Sequence, residues 1–243
     1  MNHSHISIGR SLRACWKRER ATAGPRAAAR KFAQVGFDFL RDSLPERKRR
    51  RYGDADYDWQ FRVDTTSATV SWRTRLLGLL HSPYQPVEPE LFHEIINSLE
   101  VDFRQFTFLD IGSGKGRALL LAAEYPFRRV MGIELLPDLN SVAQENIRRF
   151  SSENRACGEL EALCSNATDF IFPADPLVIF LFNPLPEGGL KKLIGNLEAS
   201  LREDSRPAYV IYANPEFEEI FRTHSTLPKI GGTDQYSVFR SAL

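Results

Sequence analysis

The segment that decides the fold is FLDIGSGKGRALLLAA, residues 108–123. A short apolar run leads into Asp110, glycines follow at 112, 114 and 116, and an apolar stretch at helical spacing then begins. This order predicts a buried strand, a glycine-rich turn and a helix. Glycines at such a turn let the backbone approach a ligand closely, because no Cβ intervenes. The segment therefore predicts a small-molecule site at the end of a strand.

The residues from about 100 onward alternate between strand-like and helical patterns. Five apolar runs are typical of strands buried on both faces; they are 106–110, 129–133, 159–164, 177–182 and 207–213. Helical patterns lie between most of them, which predicts an α/β fold with a doubly wound parallel sheet. Two more strand-like pieces, 227–232 and 236–240, predict a C-terminal hairpin with one antiparallel strand in this sheet.

The composition is that of an ordinary globular protein, with 42% hydrophobic and 26% charged residues. No apolar run approaches the roughly 20 residues that a membrane span requires. The three cysteines, Cys15, Cys157 and Cys164, show no paired spacing. A disulfide framework or a metal site is therefore not expected, and a cytoplasmic location is.

The N-terminal part of the chain is strongly basic. Residues 1–51 contain 14 Lys/Arg and four Asp/Glu, a net charge of +10, which leaves −9 on the remainder of a chain whose net charge is +1. We therefore divide the chain into an N-terminal extension, residues 1–83, and a main domain, residues 84–243. The extension is expected to act as a lid, a substrate selector or a docking arm.

The extension is expected to be partly helical. Residues 1–27 have no sustained apolar period, which predicts a disordered or loosely helical segment, whereas 28–44 predict an amphipathic helix. Residues 57–74 alternate aromatic and β-branched positions with polar ones, which favours a short hairpin or extended segment. The basic arm, residues 10–51, ends in ERKRRR (46–51). This run is either a solvated linker or a contact with nucleic acid or an anionic surface.

Two ligand classes that use glycine loops fit the segment poorly. A phosphate-binding P-loop needs Ser or Thr after its lysine, and here Lys115 is followed by Gly116. A dinucleotide loop needs its third glycine at position 117, which is Arg117. An NAD-linked oxidoreductase therefore stays as an alternative, disfavoured by this early third glycine and by the terminal hairpin.

A third pattern, acid-x-G-x-G-x-G, matches Asp110 to Gly116 at every position. On these residues, 84–240 resembles the class I S-adenosylmethionine-dependent methyltransferases, above all bacterial ones with F-x-D-x-G-S-G-K-G-R. There is a fainter similarity to the Dot1-like and other seven-stranded protein-lysine methyltransferases, which share D-L-G-S-G. The resemblance implies a mostly parallel seven-stranded sheet and S-adenosylmethionine as cofactor.

The resemblance also implies roles for the loop and for the end of the next strand. Bare backbone at Gly112, Ser113, Gly114 and Gly116 passes under the methionine moiety of the cofactor. Asp110 orients the loop and reaches the cofactor's amino group, directly or through water, or is only a loop organiser. Glu134, which follows the second strand, binds both ribose hydroxyls.

For the adenine, the matching loop is SNATDFIFP (165–173), where similar enzymes often have G-D-A-x-x-F. Asn166 stands in the acid's position before Ala167, and this is a departure from the pattern. An amide oxygen can accept the same hydrogen bond. Asp169 is the alternative adenine contact.

The catalytic candidates are Asn183, Pro184 and Tyr84. In amino-methylating relatives, Asn/Asp-Pro-Pro-aromatic after this strand grips the substrate nitrogen, and Asn183 also borders the cofactor. Here Leu185 follows Pro184, and the absent aromatic counts against nucleobase or glutamine methylation. Tyr84 stands where Dot1-like enzymes carry a tyrosine over the cofactor.

The sequence thus favours a methyltransferase that acts on an amine nitrogen, protein lysine among the candidates. A protein, a small molecule or RNA stays open as the methyl acceptor. The alternative is a catalytically inactive binding protein of this fold that contacts nucleic acid through its basic arm.

Overall fold

The computed structural model describes residues 7–42, 55–80, 84–223 and 226–242. Seven strands form a single sheet. They are β1 (Thr107–Ile111), β2 (Arg129–Glu134), β3 (Leu160–Cys164), β4 (Leu177–Phe182), β5 (Ala208–Ala213), β6 (Lys229–Gly232) and β7 (Tyr236–Arg240). Their order is β3-β2-β1-β4-β5-β7-β6, in which β1 to β5 are parallel and β7 is antiparallel to both of its neighbours.

Eight helices are described, and five of them cover the sheet. They are α1 (Ile8–Asp42), α2 (Ala55–Phe61), α3 (Trp72–Leu80), α4 (Pro89–Asn97), α5 (Arg117–Ala122), α6 (Pro137–Arg149), α7 (Glu187–Glu203) and α8 (Glu219–Arg222). Helices α4, α5 and α6 pack on one face of the sheet, and α7 and α8 pack on the other. The predicted doubly wound, mostly parallel sheet with a C-terminal antiparallel hairpin is confirmed.

The continuous apolar runs follow from this layering, because both faces of each central strand are covered. In β1, Phe108 points to the α4 side, where its ring lies 5.8 Å from that of Phe92. The next residue, Leu109, belongs to the core on the α7 side. Successive side chains of a strand point to opposite faces, so a strand buried on both must be apolar at every position.

The prediction of a hairpin or extended segment at 57–74 was wrong. These residues form α2, a 3-10 turn (Ser67–Thr69) and the start of α3. The Asp58 carboxylate accepts the N–H groups of Thr65 at 2.7 Å and of Thr66 at 2.8 Å. These two bonds hold the chain in a compact turn after α2. Backbone N–H groups that a side chain accepts in this way are not available for strand pairing.

Residues 8–42 are helical, where the sequence predicted disorder or loose helix over 1–27 and an amphipathic helix over 28–44. Helix α1 is interrupted at Gly24 (φ 86°, ψ 171°), which precedes Pro25. The two halves fold back on each other, since the rings of Trp16 and Phe32 lie 5.4 Å apart. In a straight helix, 16 residues would separate them by about 24 Å.

The polybasic run 46–51 lies outside the described residues. Among the residues that are described, no helix is both long and apolar enough to cross a membrane.

Candidate functional site

The glycine loop lies at the carboxyl end of β1 and packs tightly against its neighbours. Gly112, Gly114 and Gly116 have φ of 76°, 54° and 86°, a region that favours glycine. A Cβ on Gly112 would lie 2.5 Å from Cβ of Pro184, and one on Gly114 would lie 2.2 Å from the ring of Tyr84. The loop therefore has no room for side chains at these two positions.

A cleft of about 210 Å³ opens beside this loop, at the carboxyl ends of β1, β2 and β4. This edge is where open α/β sheets bind ligands. Six of the predicted site residues line the cleft: Tyr84, Gly112, Glu134, Asn166, Ala167 and Pro184. The other five do not: Asp110, Ser113, Gly114, Gly116 and Asn183. Roles for all of them toward a bound cofactor stay predictions.

Glu134 bridges the glycine loop and the turn that enters α6. Its Oε2 accepts the N–H of Gly114 at 2.8 Å, and its Oε1 accepts the N–H of Leu136 at 2.7 Å. Burial raises the pKa of this carboxyl group, while the backbone hydrogen bonds act in the opposite direction. A carboxylate has about four acceptor positions, so two bonds leave capacity for a ligand in the cleft.

Asp110 is buried on β1 beneath the loop, with 4% of its surface exposed. Burial, and secondly the charge of Glu134, raise the pKa of Asp110 from 3.8 to about 8. Near neutral pH the carboxyl group is therefore mostly protonated. Its role, as an organiser of the loop or as a contact of the cofactor's amino group, stays a prediction.

We expect Asp110→Asn to stabilise the chain relative to wild type increasingly as pH rises. The folded chain keeps a proton on Asp110 that the unfolded chain releases above its ordinary pKa near 3.9, so wild-type stability falls as pH rises from about 4 to about 8. The variant lacks this loss of stability, because its side chain does not titrate.

The melting temperature of the variant should exceed that of wild type by about 3–6 °C at about pH 8.5, and by less at about pH 5. Scanning calorimetry measures both, with the exposed Asp234→Asn as the control that should show no such trend. A constant offset at both pH values would contradict the assignment.

Ser113 anchors the glycine loop through its backbone and not through its hydroxyl. Its N–H donates to the carbonyl of Ile133 at 3.1 Å. Its Oγ is buried and finds no hydrogen-bond partner among the described residues. A Cβ on Gly132 would lie 2.7 Å from this Oγ, so the hydroxyl is pressed against β2 and away from the cleft.

The loop's lysine is directed into the N-terminal extension. Lys115 is 2% exposed, and its Nζ donates to Asp64 at 2.8 Å, to the carbonyl of Thr66 at 2.9 Å and to the hydroxyl of Thr69. Asn146 of α6 completes this contact, because its Nδ2 donates to the carbonyls of both Asp64 and Lys115. A phosphate-binding loop would point its lysine at the ligand.

Arg117 makes a second buried link to the extension. It is 2% exposed, and its guanidinium lies 3.4 Å from the carboxylate of Asp58, which is itself largely buried. It also donates to the hydroxyl of Thr65 and lies over the ring of Tyr57, 4.3 Å from the centroid. The two cations that follow Gly114 thus hold residues 57–69 against the glycine loop.

Sequence reasoning missed this role of Lys115 and Arg117, which it used only to exclude phosphate loops. The one available signal was the pair of acids, Asp58 and Asp64, in the extension. That signal was weak, because 59 and 51 residues separate these acids from their partners.

The extension also supplies one wall of the cleft, which sequence reasoning did not assign. These lining residues are Ser67, Val70, Thr74, Arg75, Gly78 and Leu79. Helix α3 carries four of them, and its Thr74 hydroxyl donates to Asp138 of α6 at 3.2 Å. The division of the chain at residue 83 stays a prediction, and the cleft is built from both sides of it.

Asn166, and not Asp169, faces the cleft. Its Oδ1 accepts the N–H and the hydroxyl of Thr168 at 3.1 and 3.0 Å, so it caps the 3-10 turn Ala167–Asp169. The carboxylate of Asp169 is bound by Nδ2 of Asn166 at 2.8 Å and by Lys192 at 2.7 Å. Asp169 borders a different hollow, beside α7.

The turn after β4 carries two catalytic candidates, Asn183 and Pro184, and only Pro184 lines the cleft. Asn183 has φ 44°, and its Oδ1 accepts the hydroxyl of Tyr212 on β5 at 3.2 Å. Burial raises the pKa of Tyr212 to about 12, so this hydroxyl remains a donor. Pro184 instead lines the cleft beside Gly112.

Tyr84 covers the loop from the opposite side. Its hydroxyl donates to the carbonyl of Thr65 at 2.5 Å, which ties it to the extension. Its ring lies directly over Gly114 and borders the cleft. The predicted position of Tyr84 over a cofactor stays a prediction.

The seven-stranded sheet with antiparallel β7, and the glycine loop at the end of β1, together form the Rossmann-like fold that the resemblance to class I methyltransferases implied. Folds of this kind bind ligands at the carboxyl edge of the sheet, where the cleft of this chain lies. The fainter similarity to Dot1-like enzymes stays a prediction.

Several solved structures are similar to this chain. A TehB-like SAM-dependent methyltransferase from Corynebacterium glutamicum is 15% identical, with a TM-score of 0.44 over 62% of this chain and 85% of its own. The glycopeptide N-methyltransferase MtfA, complexed with sinefungin, is 13% identical, with a TM-score of 0.46 over 66% and 88%. Precorrin 8w decarboxylase from Methanobacterium thermoautotrophicum is 16% identical, with a TM-score of 0.45 over 66% and 93%. No family model and no curated protein matches the chain.

Proposed function

We propose that the chain is an S-adenosylmethionine-dependent methyltransferase. The observation that carries this proposal is the hydrogen bond between the N–H of Gly114 and the carboxylate of Glu134, in a cleft that Glu134 and Gly112 line. A buried carboxylate with spare acceptor positions suits two vicinal sugar hydroxyls. Bare backbone beside it suits a bulky sulfonium side chain.

The other residues of the cleft fit the same ligand. Leu135, Leu136 and Leu139 form an apolar wall of the cleft that also holds Asn166 and Ala167. Leu136 and Leu139 pack with Leu77 of the extension. Apolar walls with a few polar groups are typical of small-molecule sites, and a purine ring matches this wall. The predicted adenine loop and the predicted sugar acceptor therefore lie in one cleft.

The same geometry disfavours the NAD-linked alternative. A dinucleotide brings a pyrophosphate to the glycine turn, where a helix N-terminus and small residues receive it. Here Lys115 and Arg117 flank Gly116, and both are buried in contacts with the extension. The position of the third dinucleotide glycine is thus occupied by a structural arginine.

The chemistry asks little beyond alignment and exclusion of water. The bound cofactor supplies a methyl group on a sulfonium, and the protein must hold the nucleophile in line with it. Tyr84 and Pro184 flank the glycine floor, and we assign them to shaping this approach. We propose an amine nitrogen as the acceptor atom. The amide oxygen of Asn183 already accepts the hydroxyl of Tyr212. We therefore assign Asn183 to shaping the turn after β4, and not to binding the amine directly.

Calorimetric titration tests the proposal. We expect micromolar binding of S-adenosylmethionine and of its demethylated product, and none of NAD. Gly114→Ala should abolish this binding, because its Cβ would collide with Tyr84. Gly195→Ala is the matched control, since nothing lies within 4 Å of the added Cβ. If wild type binds NAD, or neither compound, the proposal fails.

Turnover separates the enzyme from a binding protein of the same fold. Incubation of a cell lysate with methyl-labelled cofactor, followed by separation of protein, nucleic acid and small molecules, should label one fraction. Binding without label in any fraction would favour the inactive binding protein.

A further inference from the structure

The first half of helix α1 carries a line of cations on its outer face. Arg10, Arg13, Lys17 and Arg20 follow one another at intervals of three, four and three residues, and all four are exposed. This spacing places them on one side of a helix, over about 15 Å of its length. We call these four residues the cation stripe.

The stripe is held outward by the packing of the opposite face. Cys15 and Leu12 pack against Phe32 and Val35 of the second half of α1, and against α3. Nearby acids are used elsewhere: Glu19 faces Arg18 and Lys31, and Asp38 pairs with Arg41. Within residues 7–42 and the other described ranges, no ion pair involves the stripe.

The second half of α1 adds two cations and an exposed aromatic ring. Arg26, Arg30 and Phe37 are spaced by four and seven residues, which again places them on one helix face. Phe37 is 61% exposed, and the guanidinium of Arg41 lies 5.9 Å from its ring. An exposed ring beside an arginine offers a surface on which a base can stack.

We propose that α1 is a docking surface for single-stranded RNA, with phosphates on the cation stripe and a base on Phe37. Three of the four stripe residues are arginines, whose planar guanidinium groups pair with phosphate in a bidentate manner. Besides the stripe, the exposed positions in residues 8–23 are Gly9, Ala14, Arg18, Ala21, Thr22 and Ala23, so this half of the helix lacks the large apolar side chains that bury a helix in a lipid surface. The second half exposes two large apolar side chains, Phe37 and Leu40. The inference goes beyond the proposed function and does not depend on it.

The position of α1 gives the surface a relation to the cleft. Its two halves pack on α3 through Leu76 and Leu79, and Leu79 also lines the cleft. Ile8 packs beside Leu136 and Leu139, which form the wall next to Glu134. The helix that carries the stripe therefore packs on elements that form one wall of the cleft, with the stripe on its outward face.

Fluorescence anisotropy with a labelled single-stranded RNA of about 20 nucleotides tests the surface in the full chain. The variant R10Q/R13Q/K17Q/R20Q should bind at least about tenfold more weakly, and its salt dependence between about 50 and 200 mM should flatten by about 3 in log–log slope. F37A should weaken binding by about tenfold with an unchanged slope. Circular dichroism and melting curves show that each variant is folded.

The matched control is R148Q/R149Q/K191Q/K229Q, which removes four exposed cations of the main domain that each pair with an acid. It changes the net charge equally and should bind RNA as wild type does. Equal losses in the two quadruple variants would overturn the proposal, because net charge alone would then explain binding. So would wild type that ignores RNA but binds vesicles containing phosphatidylglycerol.

Discussion

Replacing Glu134 by alanine is expected to weaken binding of S-adenosylmethionine by about 100-fold or more, because two hydrogen bonds to a charged acceptor are lost. The loss has a second source in the protein itself. The N–H groups of Gly114 and Leu136, which Glu134 now accepts, would lose their partner. The glycine loop would then be held to β2 only by the bonds of Gly112 and Ser113 to the carbonyl of Ile133. Titration calorimetry measures the change in affinity directly.

Two further variants make this result specific. Glu134→Gln keeps one amide oxygen as an acceptor, and its affinity should fall between those of wild type and alanine. Glu161→Ala removes an exposed carboxylate from the neighbouring β3 and should bind as wild type does. If Glu134→Ala kept wild-type affinity, the sugar would lie elsewhere and the proposed orientation of the cofactor would be wrong.

Replacing Arg117 by methionine is expected to destabilise the chain by about 3 kcal/mol, since the Asp58 carboxylate would stay buried without its cation. The side chain of Arg117 is 2% exposed, and that of Asp58 is 11% exposed. For a chain of this size the melting temperature should fall by about 6–12 °C. Denaturant unfolding and scanning calorimetry measure the two quantities.

A double-mutant cycle tests whether the charge pair is the cause. Asp58→Asn combined with Arg117→Met should cost less than the sum of the two single changes, because no buried charge is left unpaired. Arg148→Met removes an exposed arginine and should have little effect. Additive costs in the cycle would show that packing, and not the ion pair, carries the effect.

The glycine loop and residues 57–69 of the extension are linked as one structural unit. Lys115 and Arg117 lie inside the loop region, and their partners lie in residues 57–69. Tyr84, tied to Thr65, covers Gly114 from above. A change in the extension is therefore expected to alter the loop, even at positions that do not line the cleft.

Local patterns in the sequence were enough for the sheet. The run Leu177–Phe182 is apolar throughout because both of its faces are covered, and such a run predicts a buried strand without knowledge of its neighbours. The glycines at 112 and 114 were equally visible, since a turn that leaves no room for Cβ leaves only glycine. Glu134 was singled out because the resemblance implies an acid at the end of the second strand, and it is the last residue of β2.

Patterns of the same kind failed where the chain made contacts over long distances. The alternation in residues 57–74 favoured a hairpin, yet the Asp58 carboxylate and the loop's cations hold this segment as helices and turns. The direction of the Asn183 side chain depends on Tyr212, a residue of the neighbouring strand. Nothing within a few residues of Asn183 indicates that partner.

The sequence by itself determined the order of strands and helices, the glycine turn and the acid at the end of β2, because each depends on burial and backbone conformation over a few residues. Only the tertiary structure decided that Lys115 and Arg117 turn away from the cleft. Their charges are buried, and a buried cation must lie beside an anion or carbonyl group that the chain supplies from elsewhere. Those partners come from the extension, 46 to 59 residues earlier.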